Sequence, residues 1–279
     1  MSTTTRKPAV AGSFYPRDKG ALIEQIEKCY LHKELGPSKL PTYNEKGARK
    51  IKGAVVPHAG YMYSGYTAAW AYSKLAEDGF PETFVIIGPN HTSYGSVIAV
   101  TAEFFSTPLG NVEIDTELVD ALSGTIIDND FNAHKYEHSI EVQLPFIQHI
   151  SEKFKLVPIC MGLQNYKTAK EVGTALSSAI AKLKRDVVVI ASSDFTHYEE
   201  RASAQRKDKL AIQEILNMSS KGLYEAVERY SISMCGYGPV MAMLETIKGN
   251  KTTLLKYSTS GDIEKNMYEV VGYAAIIIE

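Results

Sequence analysis

Cysteine is scarce in this chain: Cys29, Cys160 and Cys235 are the only three in 279 residues, far apart, and no two form a CxxC pair. That excludes a disulfide scaffold and a zinc ribbon and favours a reducing compartment. An excess of one charge is missing too. Thirty basic residues against thirty-two acidic ones leave a formal net charge of −2, which gives no footprint for nucleic acid or an anionic membrane. The opening stretch, MSTTTRKPAVAGSFYPRDKG, has no apolar run long enough for a signal peptide, and no later run approaches a membrane span. A cytoplasmic protein is therefore expected. There is no internal repeat, no GxxxxGK[ST], no GxSxG, and CGYGPVM lacks the third glycine of GxGxxG. Phosphate-cradling loops and the serine nucleophile elbow are excluded with them.

What is present is an ordinary globular composition, 44% hydrophobic and 22% charged, enough for a sizeable core. The polar stretch from about His32 to Lys52 reads as a loop between an N-terminal helix and the first core strand. Short β-branched runs follow, separated by polar clusters and helical stretches. Strands are predicted at Ile51–Pro57, Thr83–Ile87, Ser96–Thr101, Lys155–Cys160, Asp186–Ala191, Thr252–Tyr257 and Val270–Ile278. Helices are predicted over Ser64–Ala76, 138–151 and 167–184, and 210–248 is mostly helical. Continuous apolar runs of this length suit strands buried on both faces. The expected fold is α/β: a layered α/β/α arrangement with a central mixed sheet and helices on both faces, in one domain spanning 1–279.

The chemistry clusters after the strands. One strand runs into Pro57-His58-Ala59-Gly60, another into Gly88-Pro89-Asn90-His91, and a third into Ser192-Ser193-Asp194-Phe195-Thr196-His197. Ligands of open α/β sheets bind at the carboxyl ends of strands, so His58, His91, Asp194 and His197 can share one crevice. Each placement alone also fits a loop histidine bonded to a nearby carbonyl, but three among seven histidines make coincidence less attractive. His138, in Glu137-His138-Ser139-Ile140-Glu141, reads as part of a helix entry with Ser139 as cap and Glu141 on the same face; a solvated first turn fits equally. His32, His134 and His149 are given surface roles. Cys235 lies in Ser233-Met234-Cys235-Gly236-Tyr237-Gly238-Pro239. Pro239 suits the first helical position, and a thiol just before a helix N-terminus has a lowered pKa. Cys29 and Cys160 read as core. Two imidazoles and a thiolate are a competent set for zinc, copper or iron.

Taken in order, these motifs resemble the MEMO family (mediator of cell motility). The matching pieces are RKPAVAGSFYP (6–16), PHAGYMYSG (57–65), GPNH (88–91), STPLG (106–110), EHSIEVQLPF (137–146), SSDFTH (192–197) and the region around Met234–Gly238. That family is similar in fold to class III extradiol non-haem iron dioxygenases, where two histidines and a glutamate hold Fe²⁺ and another histidine is the acid/base. The resemblance implies His58 and His91 as metal ligands, Cys235 where the dioxygenases place glutamate, and His197 as the acid/base. Asp194 and His138 would line or orient the site. Fe²⁺ is the first choice of metal, with Cu or Zn favoured by the softer thiolate.

Two readings follow. One is a metal-dependent oxidoreductase of dioxygenase type acting on a small molecule in the cleft. The other is a non-catalytic metal-containing protein that recognises a peptide or protein partner in the same cleft. The resemblance also implies a radical-SAM protein as partner in microbes; no nucleic-acid or membrane partner is expected, and the oligomeric state is open. The aromatic pair Phe14-Tyr15, framed by Pro8 and Pro16, is expected to pack against the body near the cleft.

Overall fold

The β-branched runs lie where burial on both faces places them. The computed structural model describes residues 5–247, 249 and 251–279. The first half of the chain forms β1 (Thr5–Arg6), α1 (Lys19–Leu31), β2 (Gly53–Val56), α2 (Tyr61–Asp78), β3 (Thr83–Pro89), β4 (Ile98–Val100), β5 (Phe104–Thr107), β6 (Gly110–Ile114), α3 (Thr116–Ala121) and β7 (Asp128–Asn129). The second half forms α4 (Leu144–Ile150), β8 (Lys155–Met161), α5 (Tyr166–Leu183), β9 (Val187–Ser192), β10 (His197–Glu199) and α6 (Arg201–Leu216). Then come α7 (Ser220–Tyr230), α8 (Tyr237–Thr246), β11 (Thr252–Thr259), α9 (Gly261–Glu264) and β12 (Val270–Ile278).

The sheet runs β1-β5-β6-β8-β3-β9-β2-β12-β10, with β11 also on β12 and β4 on β8. Its centre, β6-β8-β3-β9-β2, is parallel, while β12 runs antiparallel to β2. The sheet is therefore mixed, with α1, α2 and α4 grouped in one layer and α3, α5, α7 and α8 in the other. Every residue of β2 and β3 is buried, as doubly covered strands require. Because β2, β3 and β9 are parallel neighbours, their carboxyl ends open on one edge of the sheet.

Local chemistry fixes the helix ends. Asp18 and Asn165 accept from backbone N–H groups in the first turns of α1 and α5. Helix α2 has no such side chain; instead Tyr61 N donates to the carbonyl of Phe14 at 2.8 Å, so the N-terminal segment satisfies an orphan donor. Segment 138–151 departs from the expected single helix: a 3₁₀ turn, Glu141–Gln143, precedes the short α4. Ser139 caps nothing there and donates to the Pro89 carbonyl at 2.9 Å. Helix α8 begins two residues before Pro239, a position still within the first turn, where a missing N–H removes no helical bond. The 210–248 stretch resolves into the end of α6 with α7 and α8, and residue 248 lies outside the described residues. The β5–β6 hairpin, turning at the STPLG motif, had no clear strand pattern. No helix among the described residues is long and apolar enough to cross a membrane.

Candidate metal centre

His58, His91 and His197 are each set by a partner on ring Nδ1. His58 follows β2, and its backbone N–H donates to Asp194 Oδ1 at 2.8 Å. Its ring Nδ1 is 2.9 Å from Ser192 Oγ. That hydroxyl spends its one proton on the Ser139 carbonyl at 2.7 Å and accepts from Gln143 Nε2 at 2.8 Å. The His58 proton must therefore sit on Nδ1, leaving the lone pair on Nε2. His91, after β3, donates its backbone N–H to Glu137 Oε2, and its Nδ1 lies 3.0 Å from Oε1. A carboxylate only accepts, so His91 also keeps its lone pair on Nε2. Gly88 makes this approach fit: a Cβ there would meet Ser139 Oγ at 2.4 Å.

His138 completes the group. Its ring stacks on His91 with centroids 4.6 Å apart and stands edge-on to His58 at 5.5 Å. One nitrogen from each of His58, His91 and His138 lies within 4.8 Å of the others. Three nitrogens sharing a tetrahedral ion at ~2.1 Å stand ~3.4 Å apart, so the rings must draw together to close on a metal. Burial, then the neighbouring imidazoles, holds the His58 pKa well below its usual value. Burial likewise takes His138 down to about 4, against the pull of Glu137. Neutral imidazoles are what a metal requires. Burial alone would raise Glu137, but its bond to His91 and the two imidazoles bring it to about 2.

Cys235 is beside this group, with Sγ 3.2 Å from His58 Nε2 and accepting from the Asp194 N–H at 3.3 Å. It lies just ahead of α8, as expected, yet its thiol is pushed up, by burial and then by the Asp194 carboxylate. A helix dipole is worth at most ~2 kcal/mol at its end, and desolvation outweighs it here. Asp194 holds the backbone of the 58–59 loop by accepting its two N–H groups; burial raises its own carboxyl against the pull of His197. His197 is half-buried, with Nδ1 2.8 Å from the Ser233 carbonyl. Its proton therefore sits on Nδ1, and Nε2 is the basic nitrogen. His58, His91, His138, Asp194 and His197 all line one cleft of about 550 Å³.

The N-terminal segment forms a wall of that cleft, as expected. The Phe14 ring packs on His138 at 4.7 Å between centroids. Beneath it Glu141 is fully buried and takes Arg6 Nη1 at 2.5 Å, the N–H groups of Ala9 and Val10, and the Tyr15 hydroxyl. Glu137, Ser192 and Gln143 were not singled out from sequence. For Glu137 a signal existed, since a carboxylate beside a candidate histidine commonly orients a metal-binding imidazole.

The surface roles of the other histidines need correction. His134 is 1% exposed, bonded through Nε2 to the Ala99 carbonyl, and its own carbonyl accepts from Arg6 Nε. Its pKa falls to about 3, through burial and then Arg6. His149 stacks against Tyr30 with its side chain only 13% exposed, and half-buried His32 accepts from the N–H groups of Glu34 and Leu35.

A pH dependence follows from His134 and His138. Unfolded histidine titrates near 6.5, so below that pH the unfolded chain takes up protons that the folded chain refuses. Stability is lost as pH falls from 6.5 toward about 4 for His138 and about 3 for His134. By linkage each removes ~2 kcal/mol at pH 5. Urea midpoints of the metal-free protein at pH 7 and 5 measure this, and His134→Asn should remove only its own share, since His58 and His138 are held low as well. Equal midpoints at the two pH values would contradict the buried, neutral histidines.

A model of the Memo-like protein family matches residues 6–277. The chain belongs to the MEMO family. A MEMO1 family protein of Methanopyrus kandleri is 50% identical over 279 residues, covering 98% of both chains. Another from Methanosarcina mazei is 48% identical, covering 98% of this chain and 99% of that one. A third, from Methanocaldococcus jannaschii, is 50% identical over the same shares. The crystal structure of an uncharacterised Escherichia coli K12 protein superposes with a TM-score of 0.53 at 13% identity, over 81% of this chain and 99% of that one. At that identity only the fold is shared. In this MEMO-family chain the RKPAVAGSFYP, PHAGYMYSG, GPNH, EHSIEVQLPF and SSDFTH motifs all converge on the histidine cleft.

Proposed function

We propose that this MEMO-family protein is a metal-dependent oxidoreductase acting on a small molecule held in the histidine cleft. One observation carries the reading: three imidazoles gather at one point, opening on a cavity that also holds His197, a histidine outside that group. Imidazoles suit iron, copper and zinc alike. His58 and His91 would hold the ion, joined by His138, by Cys235, or by both. Fe²⁺ in this site would supply Lewis-acid and one-electron chemistry toward O₂.

The chain's own residues supply the rest. Ser192 and Glu137 fix the rings of His58 and His91 by their Nδ1 protons. Asp194 fixes the 58–59 backbone, and Phe14 shields His138 from water. His197 Nε2, free because Nδ1 is tied to Ser233, can take a proton from a substrate hydroxyl and later return it.

His197→Ala is expected to keep its metal and lose turnover by roughly 10²–10⁴-fold, the usual contribution of an acid/base group. Elemental analysis of anaerobically purified protein, paired with O₂ uptake against a panel of catechols and other small phenols, tests both halves. Loss of metal from His197→Ala would show that it is a ligand. A fully loaded wild type with no turnover on any substrate would favour the peptide-recognition reading.

A further inference from the structure

The cleft has a floor and a rim of different chemistry. Above the histidines the rim is formed by the rings of Phe14, Tyr63 and Tyr198, with the carboxylates of Glu264 and Glu269 among them. Both glutamates are exposed, and neither forms an ion pair among the described residues. No lysine or arginine lines the cavity. Lys265, next to Glu264 in the chain, donates to the Asp262 carbonyl at 2.9 Å, and Arg201 pairs with the Asp262 carboxylate at 2.6 Å. Glu264 stands against the Tyr63 hydroxyl.

Deeper in, Asp194 is 4% exposed and faces the same cavity. Both hydrogen bonds it accepts fall on Oδ1, so Oδ2 has no partner among the described residues. Tyr198 is held in an uncommon way. It sits at the irregularity where β10 pairs with β12, with φ of 56°, left-handed backbone that a bulky side chain rarely adopts. Its ring is nonetheless 74% exposed at the mouth. Residues kept in such conformations cluster where a ligand is handled.

Unpaired carboxylates in a partly enclosed cavity focus negative potential, and aromatic faces attract cations. We propose that the cleft selects a small organic cation, an ammonium group on an aromatic or apolar body, with its charge held among Glu264, Glu269 and the rings of Tyr63 and Tyr198. This rests on the reading that the cleft takes a small molecule, and it specifies the class. The same rim disfavours sulfonates, carboxylates and phosphorylated groups.

The test compares phenyltrimethylammonium with benzenesulfonate, two probes of similar shape and opposite charge, by calorimetric titration of the full-length protein as purified. The cation is expected to bind about tenfold more tightly, with a preference that shrinks as salt rises. The double variant Glu264→Gln/Glu269→Gln should reduce the preference to within about twofold, while its urea midpoint stays unchanged because both side chains are exposed. Tyr198→Gly should weaken cation binding and raise stability, since glycine adopts positive φ freely. Equal binding of the two probes, a preference for the sulfonate, or a cation preference that survives the double variant would overturn the proposal. Binding of neither probe would overturn it too. The metal content of the same sample then shows whether the metal-centre reading falls with it.

Discussion

Replacing Glu141 with alanine is expected to remove about 3–5 kcal/mol of stability, the usual result of breaking a buried ion pair from one side. Arg6 and Glu141 both have fully buried side chains. The alanine variant leaves the guanidinium, the N–H groups of Ala9 and Val10 and the Tyr15 hydroxyl without their shared acceptor. The loss does not stop at the core. Phe14 is part of the same segment and covers His138, so the cleft loses a wall along with its anchor. Urea unfolding at pH 7 measures the first effect, and limited proteolysis within residues 7–16 measures the second. A loss below about 1 kcal/mol with an uncut N-terminus would show that the segment is held by its aromatic packing instead.

The second large effect is on the metal. His58→Ala and His91→Ala are each expected to reduce affinity for Fe²⁺, Zn²⁺ and Cu(I) by more than the roughly 10–100-fold typical of losing an outer-shell partner. Glu137→Gln, which touches the metal only through His91, belongs in that lesser range. The third position is read by comparing metals. His138→Ala should weaken all three ions, whereas Cys235→Ser should weaken Cu(I) most, because thiolate is the soft donor of the set. The Cys235 proton, favoured by burial and Asp194, must leave for that bond to form, so Cu(I) affinity should also fall as pH drops. Equal loss of every metal in Cys235→Ser would make the thiolate a primary ligand. Unchanged Cu(I) binding would remove it from the centre.

Much of this was legible in the chain, for a definite reason. The runs GAVV, TFVII and VVVIA are apolar without alternation, and only a strand covered on both faces tolerates that. Once those strands were placed, the residues following them, His58, His91, Asp194 and His197, had to emerge on one edge. What the sequence concealed depends on partners far along the chain. His134 sits in a polar stretch that looks exposed, and it is buried because Arg6, 128 residues away, reaches its carbonyl. His138 and Glu141 have helical spacing, but the 3₁₀ turn begins only at 141, and Glu141 is taken up by Arg6, Ala9, Val10 and Tyr15 from far along the chain. For Cys235 the local sequence shows only a helix end, and neither the burial of its thiol nor Asp194 is visible at that range. Similarly, nothing local marks Ser192 as the hydroxyl that sets the His58 tautomer, since its three partners come from residues 58, 139 and 143.

The pairing of β2 with β12 has a consequence for how the protein is made. Gly53 stands opposite Ile278 in that pairing, and Cys235 lies 177 residues beyond the His58 it touches. A ribosome adds ~5–20 residues per second, so the last strand is synthesised roughly 10–45 s after the strand that ends at His58. Through that interval β2 lacks one neighbour and the histidines lack a finished cleft. Contacts this distant in sequence also form slowly. Any metal would therefore be captured late, after β12 has docked, and a stalled or truncated product would offer an open sheet edge with an unfinished histidine cleft behind it.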